Sequence, residues 1–563
     1  MDKPWFKYYD EGVPRTIDYP RIPLDRLLAD SAAKHPEHTA IIFGAMVGSR
    51  LMDSKLTYRQ LDEAVNRFAA GLERLGIRKG DRVAIMLPNC PQWVIAAYAT
   101  WRLGGIVVCC NPLYVGREIE HLVNDSGAKT FVVMSQLYER VKDVRAHTGL
   151  ERIIVSNIKE YFPGMLKLLF TLAKEKKEGH KVDISGDAAT YWFQDVMQGT
   201  ESRPTPVEID HEAVATLIYT GGTTGGPKAA QLTHRNLVSN ALALNIWAQS
   251  REAREVMLAV MPYFHVYGLT VGMNVPIANA LTIAQIPNPR EMVHVLACIQ
   301  KHGVTYYCGV PTMFVGFLNF RARDQYTLSS LRFAVSAAAP LAPETQDQFQ
   351  AVTGGKLLQA YGLTETSPAA SIEPINRPKP HSIGLPMPDT DMKIVDLDTG
   401  TQEMAVGQLG EIIIKGPQVM KGYWNLSTET ANALRTGPDG QPDWFFSGDI
   451  GFMDEEGYFH ITDRKKDIII AGGFNIYPTD VEAVLFEHPA VKEAAVIGVP
   501  DERRGETVKA FVVLKEGQTA TEEEIIAFCK ERMAAYRVPR LVEFRQDLPK
   551  SIIGKVLRRE LRG

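Results

Sequence analysis

Little in this chain of 563 residues marks it for export, for a membrane span or for nucleic acid. Cysteine is scarce: Cys90, Cys109, Cys110, Cys298, Cys308 and Cys529 are the six, and none stand in a C-x-x-C pair. That leaves no basis for a disulfide framework, and several lie in apolar runs, as buried reduced thiols of a cytoplasmic protein do. No apolar run reaches the roughly 18 residues that a membrane-spanning helix needs. The opening Met1-Asp2-Lys3-Pro4-Trp5-Phe6-Lys7 lacks the apolar core of a secretion signal. The closing Leu561-Arg562-Gly563 is not a peroxisomal address. Charge of one sign is missing too: 62 basic residues face 66 acidic ones, for a net charge of −4, so no nucleic-acid partner is expected. There are no internal repeats and no low-complexity tracts.

What is present is ordinary globular composition, 45% hydrophobic and 23% charged, in a chain too long for one core. Two or more domains are expected. Thr57 to Leu75 reads as an amphipathic helix, with Leu61, Ala64, Val65, Phe68, Leu72 and Leu75 on one face and Gly76 ending it. Strands and helices then alternate. Val83–Leu87, Ile106–Cys110 and Thr130–Val133 are apolar runs of strand length, with helices over Trp93–Leu103 and Arg117–Asn124 between them. The same rhythm resumes from Thr216 to Leu358. Such runs predict parallel sheets covered on both faces. From about 391 to 463 the text turns β-rich, with strands at Met392–Val395 and Gly410–Ile414. The last hundred residues read as a small α+β unit, with strands at Glu493–Val499, Val508–Leu514 and Val542–Phe544. Thr521-Glu522-Glu523-Glu524 forms a capping box between them. The fold class is therefore α/β and α+β. A large domain over 1–463 holds two doubly covered sheets and the β-rich part. A small mobile domain over 464–563 follows the charged Asp463-Arg464-Lys465-Lys466-Asp467.

The densest chemical signal is Tyr219-Thr220-Gly221-Gly222-Thr223-Thr224-Gly225-Gly226-Pro227-Lys228. Glycines let a backbone turn tightly and approach an anion. The freed N–H groups and the threonine hydroxyls donate to phosphate oxygens, and Lys228 adds charge. Ala213–Tyr219 reads as a buried strand before the loop, and Thr233 as the N-cap of a helix after it. Strand, loop and helix make a setting for phosphate. It is not a Walker A loop, because Pro227 separates Gly226 from Lys228 and Ala229 follows.

This loop resembles the signature of the adenylate-forming superfamily: acyl-CoA synthetases, firefly-type luciferases and peptide-synthetase adenylation domains. The usual form has Ser at Gly222 and Gly at Ala229. Five further segments match in order over nearly the whole chain. The resemblance implies ATP, Mg²⁺ and CoA as the small molecules used. It places Thr220, Gly221, Gly222, Thr223, Thr224, Gly225 and Lys228 around phosphate, with Thr220 and Glu365 on the metal. Phe264-His265 belongs at the substrate carboxylate, His265 among the catalytic residues. In Ser336-Ala337-Ala338-Ala339-Pro340, Ala337 and Ala338 form the adenine shelf. In Gln359-Ala360-Tyr361-Gly362-Leu363-Thr364-Glu365, Tyr361 stacks on adenine, Thr364 nears the α-phosphate and Glu365 meets Mg²⁺. Phe446-Ser447-Gly448-Asp449 puts a carboxylate after a tight turn, where Asp449 accepts the ribose hydroxyls. Arg464 meets ribose or phosphate, Lys466 is the interdomain hinge, and Gly472 and Gly473 border the thiol path. Lys555, in Gly554-Lys555, activates the carboxylate–ATP step from a mobile tail.

The nearest resemblance within the superfamily is to bacterial long- and medium-chain fatty-acid–CoA ligases. An aryl or acetate activator, a fatty-acyl-AMP ligase and a non-catalytic relative stay open beside it. So do two readings of Met165–Lys177, where an apolar helix runs into a basic cluster. One is a helix lying on the inner membrane face; the other is a partly buried surface helix with a solvated end. A homodimer is also open.

Overall fold

The computed structural model describes residues 3–199, 202–220, 227–471, 474–501, 503–551 and 555–562. Short apolar runs flanked by helices build two large sheets. Among the described residues the first has nine strands, and its parallel core runs Lys356–Gly362, Phe333–Ser336, Tyr306–Gly309, Val256–Ala259, Thr282–Gln285 and Thr39–Val47. The second has eight. Val214–Thr220, Ile106–Cys109, Arg82–Met86, Thr130–Met134, Arg152–Ser156 and Thr190–Trp192 lie parallel in that order. The edges depart from the parallel rule. Arg50–Thr57 and Ala369–Ile372 add antiparallel strands to the first sheet, and Lys228–Thr233 and Gly422–Tyr423 to the second.

Helices separate the sheets. In Pro91–Arg102 every residue from Pro91 to Trp101 is buried, the mark of a helix with no solvent face. It packs on the strands Arg82–Met86 and Ile106–Cys109 and on the helix Tyr58–Arg74, which itself meets the first sheet. The latter helix starts where its capping box predicts: Thr57 Oγ1 accepts the Gln60 N–H at 3.2 Å, and Gln60 Oε1 accepts the Thr57 N–H at 2.9 Å. The sheets are joined at their carboxyl ends by Asn89. Its amide donates to the carbonyls of Ala259 and Met261 and accepts from the Tyr263 N–H, each at 2.9 Å.

The β-rich part is a five-stranded antiparallel sheet in which Trp444–Met453 pairs with Gly410–Lys415 and Phe459–Arg464. The C-terminal sheet centres on the antiparallel pair Val491–Asp501 and Gly505–Leu514, with Leu541–Phe544 added in parallel. Its helix Glu522–Lys530 carries the expected box, Thr521 with Glu524.

Two local expectations are corrected. The glycine loop does not lead directly into the helix. Lys228–Thr233 intervenes as a strand antiparallel to Val214–Thr220, and the helix His234–Trp247 starts only after it, with Thr233 as its N-cap as expected. Alanine-rich Lys228-Ala229-Ala230-Gln231 has little β propensity, and pairing with buried neighbours on both sides overrides it. Asp449 likewise does not follow a turn. It lies within the strand Trp444–Met453, at a bulge where Ile413 pairs with Phe446 but Glu411 pairs with Ile450. Gly448 takes φ +71° there, which favours glycine.

Candidate active site

Ligand sites in parallel sheets form outside the carboxyl ends of strands, and the residues singled out by sequence gather there. The strand Lys356–Gly362 delivers Gln359, Ala360, Tyr361 and Gly362. A Cβ on Gly362 would sit 1.8 Å from the Pro368 carbonyl oxygen, so the chain can double back only on glycine. Gln359 Oε1 accepts the Leu341 N–H at 3.1 Å, which holds the run of small residues beside this strand. Within that run the Ala337 N–H donates to the Gly309 carbonyl at 3.2 Å, and Ala338 is held at φ +70°. A left-handed alanine is strained and persists only where its surroundings impose it.

Tyr361 is buried, and its hydroxyl donates to Asp449 Oδ2 at 2.7 Å. Burial pushes the phenol well above its usual range, so it stays a donor. Asp449 Oδ1 lies 2.7 Å from Arg464 Nε. That carboxylate is the largest cause of a raised Arg464 pKa. One buried carboxylate thus joins two strands and an arginine. The tail residue Lys555 comes to the same place. Crowding by protein around its ammonium, then the charge of Arg464, bring its pKa down to about 8, with Asp449, Lys466 and Asp467 also in electrostatic reach. Surface remains exposed on Lys555, so the ammonium lies at the mouth of the cleft and not sealed within it. Lys466 is exposed and is lowered by the same two causes, crowding and Arg464.

A second group adjoins the first. Glu365, in the turn Thr364–Thr366, is buried; its carboxylate accepts the Tyr423 hydroxyl at 2.7 Å and its carbonyl accepts the Met420 N–H at 2.8 Å. Lys228 Nζ pairs with Glu429 and lies 5.5 Å above the Tyr423 ring. Thr220 Oγ1 donates to the Lys228 carbonyl at 3.2 Å, closing the base of the hairpin. Gly221, Gly222, Thr223, Thr224, Gly225, Gly472 and Gly473 lie outside the described residues. Among the described residues no group of three His, Cys, Asp or Glu could hold a metal by itself. A buried carboxylate such as that of Glu365 does fit Mg²⁺ carried by nucleotide phosphates, since that ion takes one or two carboxylates and keeps substrate oxygens.

His265 keeps some open surface, yet dense packing lowers its pKa to about 4, so the ring is neutral near pH 7. Nδ1 accepts the Tyr267 N–H at 3.2 Å. The proton is therefore on Nε2, which is left as a donor. Among the described residues no hydrogen bond links His265 to Glu365 or Lys555. Nearby, a small cavity of about 40 Å³ lies between the sheet and the helix His234–Trp247, lined by Leu244, Trp247, Val271, Tyr306, Val335, Leu358 and other mostly apolar residues. Val335 and Leu358 immediately precede Ser336 and Gln359 on their strands.

Sequence reasoning missed Tyr423, Glu429 and the anchor of the tail. Arg558 grips Glu482 through both carboxylate oxygens at 2.8 Å and reaches Asp467 at 3.3 Å. Asp463 accepts from Thr479 Oγ1 at 2.7 Å and from the Thr479 N–H at 2.9 Å. Their signals are single charged or aromatic residues, which sequence alone cannot tell from a solvated face.

Residues 28–424 match the AMP-binding enzyme family, and residues 480–555 match the AMP-binding enzyme C-terminal domain. A long-chain-fatty-acid–CoA ligase of Bacillus subtilis is 42% identical over 99% of this chain and 97% of its own length. One from Escherichia coli O157:H7 is 37% identical over 100% of this chain and 98% of its own. Among solved structures, ATP-bound MatB from Rhodopseudomonas palustris superposes with TM-score 0.81 at 28% identity, covering 96% of this chain and 98% of its own. Apo MatB, with the same identity and coverage, gives 0.71.

Proposed function

This chain belongs to the AMP-binding enzyme family, and from that premise we propose that it is a long-chain fatty-acid–CoA ligase. It activates a fatty acid with ATP to acyl-AMP, then transfers the acyl group to CoA. The observation that carries the reading is the meeting of Lys555, from the tail, with Tyr361, Asp449 and Arg464 in one cleft.

The chemistry needs that meeting. A carboxylate oxygen attacks the ATP α-phosphorus; the new O–P bond forms as the bond to pyrophosphate breaks. Anionic groups converge in the transition state, so cations placed there lower the barrier. We assign Lys555 and Lys228 to that charge, Asp449 to the ribose hydroxyls, Tyr361 and the alanine shelf to adenine, and the His265 Nε2–H to the acyl carboxylate. Glu365 and Thr220 would hold Mg²⁺, which supplies charge shielding on the phosphates. In the second step the CoA sulfur attacks the acyl carbon, the bond to AMP breaks and the thiol proton leaves to solvent. The mostly apolar lining of the small cavity beside Ser336 supports an aliphatic chain there, in a pocket that must widen to admit it.

Lys555 serves only the first step, so the C-terminal domain, 464–563, turns about Lys466 between steps. The higher TM-score to ATP-bound than to apo MatB supports the present arrangement as the adenylating one. The six free buried cysteines suit a cytoplasmic enzyme. Among the described residues no helix is long and apolar enough to cross a membrane. The helix Gly164–Ala173 nonetheless exposes Met165, Leu168, Leu169 and Leu172 at 67%, 58%, 41% and 76%. Exposed Lys174, Lys176 and Lys177 follow it. Apolar stripe plus basic flank supports peripheral contact with an anionic bilayer. Flotation with anionic vesicles should retain the protein and lose it in Leu168→Asp/Leu172→Asp; equal flotation of both would end that reading.

The test of function is an assay with ATP, Mg²⁺, CoA and fatty acids of graded length, following pyrophosphate and thioester together. Both products are expected with long chains. Pyrophosphate alone would make the protein an acyl-AMP ligase, and neither product would make it a non-catalytic relative.

A further inference from the structure

We propose that Glu373 is a positioning residue for the nucleotide: its carboxylate clamps the strand that carries Gln359, Ala360 and Tyr361 and couples it to the wall of the apolar cavity. The inference rests on the assignment of that strand to adenine. Glu373 follows the strand Ala369–Ile372 and is 1% exposed. Its Oε2 accepts the Gln359 N–H at 2.7 Å and the Gln346 Nε2–H at 3.1 Å, while Oε1 accepts the Lys379 N–H at 3.0 Å. Its own N–H donates to the Gln359 carbonyl at 3.0 Å, so the two residues are joined both ways. Its carbonyl accepts the Trp247 indole N–H at 3.3 Å, and Trp247 lines the cavity.

Three N–H donors converge on this side chain. An ionised carboxylate satisfies all three; a neutral group offers fewer acceptors and turns a hydrogen of its own toward donors. The strand end would then loosen where adenine is read. Burial pushes the Glu373 pKa up to about 7, against the pull of the Gln359, Lys379 and Gln346 donors, so this clamp changes state near neutrality.

Other charges around it are engaged elsewhere. Lys356 of the adenine strand donates to the Ile375 carbonyl. Asp10 of the N-terminal segment accepts the Ile375 and Asn376 N–H groups. Lys379 Nζ meets Asp454 and Glu456, Arg377 lies over the Tyr8 ring, and the Tyr458 hydroxyl donates to the Arg377 carbonyl. The helix Pro343–Thr353 contributes the neutral Gln346, and His234–Trp247 the indole.

The test is inhibition by adenosine competing with ATP, measured from about pH 5.5 to about pH 8.5, since adenosine carries no phosphate to titrate over that range. Wild type should bind adenosine more weakly as pH falls through about 7. Glu373→Gln should bind about tenfold more weakly than wild type at the alkaline end and show no such inflection, with KM for CoA unchanged. Gln346→Ala, which removes one donor from a half-buried position, should give about a threefold loss and decides the matter if Glu373→Gln does not fold. Equal adenosine binding by wild type and Glu373→Gln, or a flat wild-type profile, overturns the role of Glu373. Failure of adenosine to compete with ATP in wild type overturns the adenine assignment and this inference with it.

Discussion

Asp449 and Lys555 meet in one cleft but are held in opposite ways. Asp449 is 2% exposed and sits within a strand; its carboxylate is bound by Tyr361 and Arg464, and its backbone N–H donates to the Ser447 hydroxyl. Lys555 is exposed, follows a tail segment, and among the described residues no ion pair or hydrogen bond holds its ammonium. A group buried among partners has one geometry, because every alternative leaves polar atoms unpaired. A lysine on a small domain with no such partner among the described residues can leave at little cost. The first half of the site is thus a receptor, and the second a charge that can be delivered and withdrawn.

The largest effect should come from Lys555→Ala. Adenylation, read as pyrophosphate release, should fall about 10²–10³-fold, because a charge felt mainly in the transition state is lost. Supplied acyl-AMP plus CoA should still yield thioester near the wild-type rate. Equal losses in both halves of the reaction would erase the contrast between fixed and delivered groups.

Glu365→Ala tests the fixed half. Adenylation and the overall reaction should both slow about 10²-fold, with little relief from added Mg²⁺. Unchanged turnover at saturating Mg²⁺ would remove Glu365 from the site.

The two halves should also differ in pH dependence. The ammonium form of Lys555 is the active one, and it is lost as pH rises through about 8. Adenylation should therefore decline above that pH by about tenfold per unit, while thioester formation from acyl-AMP lacks this alkaline limb. His265, at about 4, stays neutral throughout and adds no inflection near neutrality. A shared alkaline limb would mean that Lys555 acts in both steps.

The smallest effect on chemistry, and a clear one on stability, is expected of Arg558→Ala. It removes the grip on both oxygens of Glu482 and leaves that half-buried carboxylate, among the described residues, with only the Val496 N–H donating to it, at about 2 kcal/mol. The C-terminal domain should melt earlier while the main transition holds, and adenylation should fall a few-fold through a looser Lys555. Arg558→Lys should recover only part, having the charge without the fork. An unshifted melting profile would show that the tail is held by its apolar contacts alone.

Much of this protein can be read from its chain because the relevant signals are local. Apolar runs of strand length, capping boxes at Thr57 and Thr521, and glycine loops announce elements within a few residues, and the motif order announces the family. The hairpin at Lys228–Thr233 and the bulge at Asp449 could not be read that way. Each is set by a neighbouring strand that arrives from elsewhere, and pairing outweighs the weak preference of alanine or the look of a Ser-Gly turn. The partners inside the site share that origin. Tyr361 finds Asp449 across 88 positions, Tyr423 finds Glu365 across 58, and Arg558 finds Glu482 across 76. The sequence by itself determined which chemical groups the site has, since residue types and their spacing carry that. Only the tertiary structure decided which of them are clamped, which are free to move and which titrate near neutrality, because burial and long-range hydrogen bonds exist only once distant segments pack together.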